Sequence, residues 1–210
     1  MRMLVDGIPV EARPGEKVLW AALRAGIYIP NLCALEDSLP LAGCRLCLVE
    51  VAGEEDVAAA CALAATPGLE VSTHSPRLER LRRTALGLIL ASHEADCPHC
   101  PRHRRCDLQK VAAHLRMPLR PTPFPPLFPT PANGFPHPHF AFLSQRCILC
   151  GKCVWVCRER VGKGMLDFMY RGVETVIGAS APDEDYAFCP TCRQCVEVCP
   201  TAALLPRGEA

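Results

Sequence analysis

The residues of this chain best suited to chemistry are its cysteines, of which there are 15 among 210 residues. Eight of them form two copies of the pattern C-x2-C-x2-C-x3-C, one beginning at Cys147 and the other at Cys189. This spacing is typical of paired [4Fe-4S] clusters, in which three closely spaced thiolates bind one cluster and the fourth crosses to the other. The crossing rule predicts two ligand sets: Cys147, Cys150, Cys153 and Cys199 for one cluster, and Cys157, Cys189, Cys192 and Cys195 for the other. Zinc sites also use paired C-x2-C, but the third and fourth cysteines do not suit a tetrahedral zinc knuckle.

Four further cysteines near the N-terminus are spaced C-x10-C-x2-C-x13-C: Cys33, Cys44, Cys47 and Cys61. Four thiolates on the loops of a small β-rich domain suit a [2Fe-2S] cluster, although the plant-type pattern has four residues rather than ten between its first two cysteines. Zinc accepts the same ligands, so a zinc site stays open as the alternative.

The remaining cysteines, Cys97, Cys100 and Cys106, lack a fourth partner. Groups of four, three, four and four use all 15 cysteines, which leaves one ligand position that a nearby histidine can fill. His93, His99 and His103 are the candidates. Three cysteines with one histidine suit zinc as well as iron, and the residues alone do not decide between them.

The elements that must position these ligands change along the chain. Residues 1–74 have the pattern of a small β-rich domain, with a hairpin signal at Asp6-Gly7 and a helix predicted over 16–25 that ends at Gly26. Strands are predicted over 1–5, 8–11, 46–51 and 69–73. The expected arrangement is a sheet with one helix across it.

A helical segment is predicted to follow over 75–116. Its first helix begins at Ser75-Pro76, an N-cap followed by proline at the first helical position, and ends near His93. A second short helix is predicted over 106–115. The expected apolar face of the first helix consists of Leu78, Leu81, Ala85, Leu88 and Ile89, and the expected solvated face of Arg77, Arg80, Arg82 and Arg83.

Proline marks the next boundary, because nine prolines lie between Met117 and Pro138. Proline has no N–H to give a helix or a sheet, so 117–139 is predicted to be an extended strap whose Phe124, Phe128 and Phe135 pack on neighbouring domains. A proline-rich recognition ligand is the alternative. Residues 140–210 are predicted to form a last domain around the repeated cysteine motifs.

Composition argues against several kinds of partner. The 23 basic and 22 acidic residues nearly balance, so the chain lacks the electrostatic footprint of a protein that binds nucleic acid or anionic membranes. No stretch predicts a transmembrane helix, and the N-terminal sequence turns polar at Asp6, before a secretory signal could form. An odd number of cysteines without a signal indicates reduced thiolates, which predicts a cytoplasmic protein, alone or in a complex at the inner face of the membrane.

The segments PNLC and GCRLCLVEV, followed by His-x3-Cys-x2-Cys-x5-Cys, resemble the N-terminal region of the large iron-sulfur subunit of respiratory complex I and the matching region of iron-only hydrogenases. Because both C-terminal motifs are complete, the chain is most similar to diaphorase iron-sulfur subunits of NAD-reducing hydrogenases and NAD-linked formate dehydrogenases. The resemblance implies a β-grasp domain that binds [2Fe-2S], a small helical [4Fe-4S] domain and a bacterial ferredoxin-like domain with two [4Fe-4S] clusters. It assigns the first cluster to Cys33, Cys44, Cys47 and Cys61, and the second to His93, Cys97, Cys100 and Cys106.

The implied fold class is α+β. It comprises a β-grasp domain at 1–74, a helical domain with one histidine and three cysteine ligands at 75–116, a strap at 117–139 and a ferredoxin-like domain at 140–210. Clusters with complete protein ligation leave no open iron for a substrate, so one [2Fe-2S] and three [4Fe-4S] clusters predict a redox subunit with no substrate site of its own.

Neither G-x-G-x-x-G in a strand-helix context nor a Walker A motif occurs. Flavin and NAD(P)H are therefore expected on a partner subunit, and the terminal chemistry on a catalytic partner such as a hydrogenase or a formate dehydrogenase. A free-standing polyferredoxin is the alternative. By the ferredoxin resemblance such carriers are strongly acidic, whereas this chain has a net charge of +1.

Overall fold

The computed structural model describes residues 1–120, 123–125, 135, 137–179 and 183–207. The chain divides into two compact units, the first comprising Met1–Gly87 with Val111–Met117 and the second Leu88–Lys110 with Pro118–Ala210. Much of the predicted strap, including Phe128, lies outside the described residues. No helix in the described part of the chain is both long enough and apolar enough to span a membrane.

The first unit is built on a five-stranded sheet with the order β2-β1-β5-β3-β4. Its strands are β1 (Arg2–Val5), β2 (Ile8–Glu11), β3 (Leu48–Val51), β4 (Val57–Ala59) and β5 (Glu70–Ser72). Strands β1 and β5 are parallel, and the other neighbours are antiparallel. The four strands predicted from the sequence are confirmed, and β4 is an addition that the short segment VAA does not signal.

The β1–β2 hairpin turns at Asp6-Gly7, as predicted, with Val5 opposite Ile8. Both turn residues have a left-handed φ, 55° and 76°, which a type I′ turn requires. Asp6 also joins the hairpin to the end of β5, because its carboxylate accepts hydrogen bonds from the backbone N–H and the hydroxyl of Thr73, both at 2.6 Å.

Helix α1 (Val18–Arg24) confirms the helix predicted near this position. Its buried residues, among them Val18 and Leu19, share one hydrophobic core with strand residues such as Val5 and Val49. Cys47 and Cys61 belong to the same core. The core therefore fixes the connection from α1 to β3 and the segment after β4, which carry the N-terminal cysteines.

Helix α2 (Pro76–Ala91) begins where the N-cap predicts, because the Ser75 hydroxyl oxygen accepts a hydrogen bond from the backbone N–H of Leu78 at 3.1 Å. The predicted apolar face is wrong in part, since Leu81 and Leu88 are exposed. The buried stripe repeats every four residues and consists of Leu78, Arg82, Leu86 and Leu90. The second predicted helix of this region is confirmed as α3 (Asp107–His114).

In the described part of the second unit, the strands form two antiparallel pairs. These are β6 (Phe140–Phe142) with β9 (Leu204–Pro206), and β7 (Leu166–Met169) with β8 (Val176–Ala179). Short helices carry the cysteine motifs: α4 (Lys152–Trp155), which continues into a π turn at Val156–Arg160, α5 (Cys189–Cys192) and α6 (Gln194–Glu197). Turns of 3₁₀ helix lie at Cys97–His99, Ser144–Arg146, Gly172–Glu174 and Asp183–Phe188.

The core of the second unit is formed by apolar residues of both strand pairs together with ligand candidates such as Cys153 and Cys199. Phe135 joins it from the predicted strap, with its ring 5.1 Å from that of Phe142 between centroids. Packing of this strap phenylalanine is therefore as expected. Cys153, Cys157 and Cys199 are buried in this core, and Cys147, Cys189 and Cys195 pack against it.

Candidate iron-sulfur sites

In the first unit, four cysteines meet as two close pairs of sulfurs. The Cys33 thiol donates a hydrogen bond to the Cys44 sulfur at 3.4 Å, and Cys47 and Cys61 lie close enough to shift each other's pKa. These interactions raise the pKa of Cys33 and Cys47, lower the pKa of Cys44 to about 6 and lower the pKa of Cys61. Four protein thiolates shared between two irons require two such pairs.

The backbone around Cys44 is strained. Ala42 and Arg45 both have a left-handed φ, 50° and 52°, a conformation that residues with a side chain rarely adopt. Backbone hydrogen bonds from Leu32, Cys33 and Leu46 reach the Cys44 sulfur and stabilise its thiolate. Neither Ala nor Arg is a residue type that marks such a loop in a sequence, so the strain could not be predicted.

Arg82 places a buried positive charge beside this group of cysteines. It is only 5% exposed, and its guanidinium Nη2 donates a hydrogen bond to the carbonyl of Leu48, next to Cys47. Burial lowers the pKa of Arg82, and the negative charge of Cys47 acts in the opposite direction. The prediction that Arg82 belongs to a solvated face is therefore wrong, because the residue lies on the buried stripe of α2.

In the second unit, His93 is prepared to bind a metal through one ring nitrogen. It lies just after α2, is buried, and donates a hydrogen bond from Nδ1 to the carbonyl of Arg146 at 3.0 Å. Burial lowers its pKa to about 4, so the ring is neutral and the lone pair of Nε2 is available. His93 lines one cavity together with Cys97, Cys100 and Cys106.

The two competing histidines are placed differently. The side chain of His99 is 82% exposed, and its Nδ1 lies 2.9 Å from the Asp96 carboxylate. His103 lines the same cavity as His93, but it is exposed and its Nδ1 accepts a hydrogen bond from Gln109 Nε2 at 3.2 Å. Burial and orientation therefore favour His93 as the fourth ligand.

Two cavities of the second unit are each lined by cysteines from both C-terminal motifs. One cavity is lined by Cys147, Cys150, Cys153 and Cys199, and another by Cys157, Cys189, Cys192 and Cys195. Backbone N–H groups reach a sulfur in each, from Leu149 to Cys147 at 3.4 Å and from Met165 to Cys157 at 3.2 Å. The structure thus brings each predicted set of four cysteines to a common cavity.

The repeat is also visible in the backbone. The residue after the second cysteine of each motif has a left-handed φ, 72° at Gly151 and 46° at Arg193. Glycine at the first position is a sequence signal for this turn. Arginine at the second is not, and only the alignment of the two motifs could have indicated it.

The chemistry of these donor sets fits iron-sulfur clusters. Burial raises the pKa of Cys147 and Cys195 to about 12 and the pKa of Cys189 to about 11, and the neighbouring cysteines add to the effect. Several thiolates in an apolar cavity need a compensating positive charge, and bound iron supplies it as it displaces the thiol protons. The sulfur sets, and the set of three sulfurs with the His93 nitrogen, are therefore suited to clusters.

Zinc was the alternative for the N-terminal and the middle group. Among the described residues, no three or more His, Cys, Asp or Glu side chains are arranged to hold a single metal ion. The sulfur ligands of one zinc ion all lie at about 2.3 Å from it. The sets of cysteine sulfurs assigned to iron give the same result, so the preference for iron over zinc rests on the family that the chain resembles.

Two of the three candidate sites of the second unit have a lining residue in common. The Arg146 carbonyl accepts hydrogen bonds from His93 Nδ1 and from the Thr201 hydroxyl, the latter at 2.8 Å. Thr201 lines both the His93 cavity and the Cys147 cavity. Cys195 and Cys153 belong to different C-terminal sets, and the negative charge of Cys195 raises the pKa of Cys153. The sites therefore adjoin one another. Sequence reasoning missed Arg146 and Thr201, although both stand within two residues of a predicted ligand.

Three family profiles match successive parts of the chain. Residues 1–76 match a 2Fe-2S iron-sulfur cluster binding domain, 82–119 the NADH-ubiquinone oxidoreductase-G iron-sulfur binding region, and 146–203 a 4Fe-4S dicluster domain. A chain in the crystal structure of an NAD+-reducing [NiFe]-hydrogenase has a TM-score of 0.86 and 34% sequence identity, over 98% of this chain and 87% of that one. The chain belongs to the iron-sulfur subunit family that NAD-reducing hydrogenases share with complex I.

Relatives in this hydrogenase and complex I family differ in length. The gamma subunit of the NAD-reducing hydrogenase HoxS of Cupriavidus necator is 29% identical over 99% of this chain and 87% of its own length. A subunit of an NADH-quinone oxidoreductase of Rhizobium meliloti is 35% identical over 98% of this chain, which spans only 24% of that protein. The family therefore establishes a mixed α/β protein with [2Fe-2S] and [4Fe-4S] ferredoxin-like domains.

Proposed function

We propose that this chain is an electron-transfer subunit that relays electrons through one [2Fe-2S] and three [4Fe-4S] clusters, between an NAD(P)H-oxidising flavoprotein and a catalytic partner such as a hydrogenase or a formate dehydrogenase. The observation that carries the proposal is the adjacency of the candidate sites in the second unit, where Thr201 lines two ligand cavities at once. Electron transfer between clusters needs short gaps, and sites that share lining residues provide them.

The proposed ligand sets are those predicted from the sequence: Cys33, Cys44, Cys47 and Cys61; His93, Cys97, Cys100 and Cys106; and the two crossed sets of C-terminal cysteines. The clusters supply one-electron storage when bound. The residues of the chain hold them by complete ligation, donate backbone N–H groups to the sulfurs and exclude water by burial. No ligand position is left for a substrate, which argues for transfer rather than catalysis.

The names of the relatives support the proposed partners. One is a subunit of an NAD-reducing hydrogenase and another a subunit of an NADH-quinone oxidoreductase, so a flavin- and nicotinamide-binding subunit is the expected donor or acceptor on one side. The proposed domain layout is 1–74, 75–116, 117–139 and 140–210, and the proposed compartment is the cytoplasm.

The proposed ligand sets fix the metal content. Two irons in one [2Fe-2S] cluster and four in each of three [4Fe-4S] clusters give about fourteen iron atoms per chain, with matching sulfide and no structural zinc. Elemental analysis of protein purified without oxygen measures this directly. A content of two or more zinc atoms with about eight iron atoms would contradict the N-terminal and middle assignments.

The proposed function is tested by the source of electrons. The chain alone is expected to be reduced by dithionite but not by NADH, because it lacks a nucleotide-binding motif. Addition of the flavin- and NADH-binding subunit of its complex should make NADH an effective reductant, as seen by bleaching of the visible absorption. The same flavoprotein without the chain is the control, and NADH-dye reductase activity in the flavin-free chain would contradict the proposal.

A further inference from the structure

His137 is a buried histidine that no predicted ligand set uses. It lies just before β6 and is 2% exposed. Its ring stacks on Phe140, with 3.4 Å between ring centroids, and meets the Tyr186 ring edge-on at 4.3 Å. These contacts fix the plane of the imidazole.

The hydrogen bonds of His137 define which ring nitrogen carries the proton. Nδ1 accepts two backbone N–H groups, from His139 at 3.2 Å and from Phe140 at 3.3 Å. An accepting Nδ1 has no hydrogen, so the hydrogen of the neutral ring is on Nε2. Burial lowers the pKa of His137 to about 4, in keeping with a neutral ring.

The Nε2–H donor is left without a partner. Nε2 is buried and has no hydrogen-bond acceptor in the part of the chain that the structure describes. Buried donors of this kind are rare, because losing water without a replacement bond costs free energy. The ring lines a cavity of about 100 Å³ whose other walls include Cys157, Cys189, Cys192 and Cys195. A group bound in that cavity would lie against the ring and could accept this hydrogen bond.

We propose that His137 donates a hydrogen bond from Nε2 to a sulfur of the cluster held by Cys157, Cys189, Cys192 and Cys195, and that this bond raises the reduction potential of that cluster. The inference rests on the proposed function, which places a cluster in this cavity. His137 acts as a positioning residue and not as a ligand, since the four cysteines fill the ligand positions. A hydrogen bond to sulfur stabilises the more negative, reduced cluster, and such bonds are one of the main controls of cluster potential.

The test is a redox titration of the variant His137→Asn, followed by electron paramagnetic resonance. The Asn carboxamide oxygen can replace Nδ1 as the acceptor for the backbone N–H groups, whereas nothing replaces Nε2–H. The affected cluster is the one whose signal disappears in Cys192→Ala. Its equilibrium constant for reduction should fall about tenfold, which lowers its midpoint potential by about 59 mV for one electron. The other clusters should titrate as in the native protein, and His137→Gln, whose amide nitrogen reaches toward the Nε2 position, should restore part of the loss.

The control variant is His139→Asn, because His139 is exposed and lines the same cavity. Its N–H groups can bond to water, so the titration should hardly change. An equal shift in this control, or an unchanged potential in His137→Asn with full iron content, would overturn the inference.

A measurement on the native protein covers the case in which His137→Asn loses its cluster. With histidine labelled by nitrogen-15, electron-nuclear double resonance recorded on the signal that Cys192→Ala removes should detect a weak coupling to a histidine nitrogen, and an exchangeable proton in deuterated buffer. Absence of both couplings overturns the role of His137 but leaves the proposed function intact. About ten iron atoms instead of fourteen in the native chain, with no signal assignable to this cavity, would contradict the proposed function itself.

Discussion

Replacing His93 with alanine is expected to remove the [4Fe-4S] cluster that we propose for this residue and Cys97, Cys100 and Cys106. The iron content should fall from about fourteen to about ten atoms per chain, or to about thirteen if a three-iron form survives. The reason is geometric, because His93 is buried with Nδ1 committed to the Arg146 carbonyl and Nε2 available to the cavity. No other buried nitrogen in the described residues lines that cavity as a ligand candidate.

His93→Cys tests the nature of the ligand rather than its presence. A thiolate carries a negative charge where imidazole is neutral, so the cluster should be retained with a lowered potential, as the opposite change raises it in Rieske centres. Electron paramagnetic resonance during a redox titration of each variant gives both the signal and its midpoint.

The controls are His99→Ala and His103→Ala, which should keep the native signal and iron content. His99 is paired with Asp96 at the surface, and His103 is exposed. An unchanged spectrum in His93→Ala together with a lost signal in His103→Ala would assign the ligand to His103 instead.

The second large effect is expected at Cys199. Although this residue belongs to the second motif, it lines the cavity of Cys147, Cys150 and Cys153. Cys199→Ala should therefore remove about four iron atoms and the same resonance signal that Cys150→Ala removes. Its spectrum should differ from that of Cys192→Ala, the neighbouring variant within its own motif.

The reciprocal comparison uses Cys157, which belongs to the first motif but lines the cavity of the second. Cys157→Ala should match Cys192→Ala and not Cys150→Ala. If Cys199→Ala and Cys192→Ala abolish one common signal, the motifs bind without crossing and the proposed sets are wrong.

The sequence is most informative where a local rule acts alone. Asp6-Gly7 can form a tight turn in few ways, and Ser75-Pro76 marks a helix start whatever surrounds it, so both elements are found where predicted. Cysteine spacing is also a local rule, because three cysteines within one short turn are close enough to bind the same metal centre. The grouping of the first three cysteines of each C-terminal motif therefore follows from their positions in the chain.

Features that depend on tertiary packing were not predictable. A run of arginines on one helix suggests a solvated face, but Arg82 occurs on a stripe with a period of four and is buried beside Leu48. His137 sits in a proline-rich segment with no helical or strand pattern, and only the folded chain shows its orphaned nitrogen. The left-handed φ of Arg193 is likewise not signalled by its residue type, since residues with a side chain rarely adopt it.

On the proposed ligand sets, the crossing of Cys199 into the first cavity also determines the order of events during synthesis. The [2Fe-2S] ligands are all present once Cys61 has been translated, and the His93 set once Cys106 has. Cys147, Cys150 and Cys153 must instead wait for Cys199, which takes roughly 2–9 seconds at ~5–20 residues per second. Insertion of the two clusters of the C-terminal motifs therefore follows translation of both motifs, and a ribosome that stalls between the motifs exposes the four thiols of the first motif, none of which has a complete site.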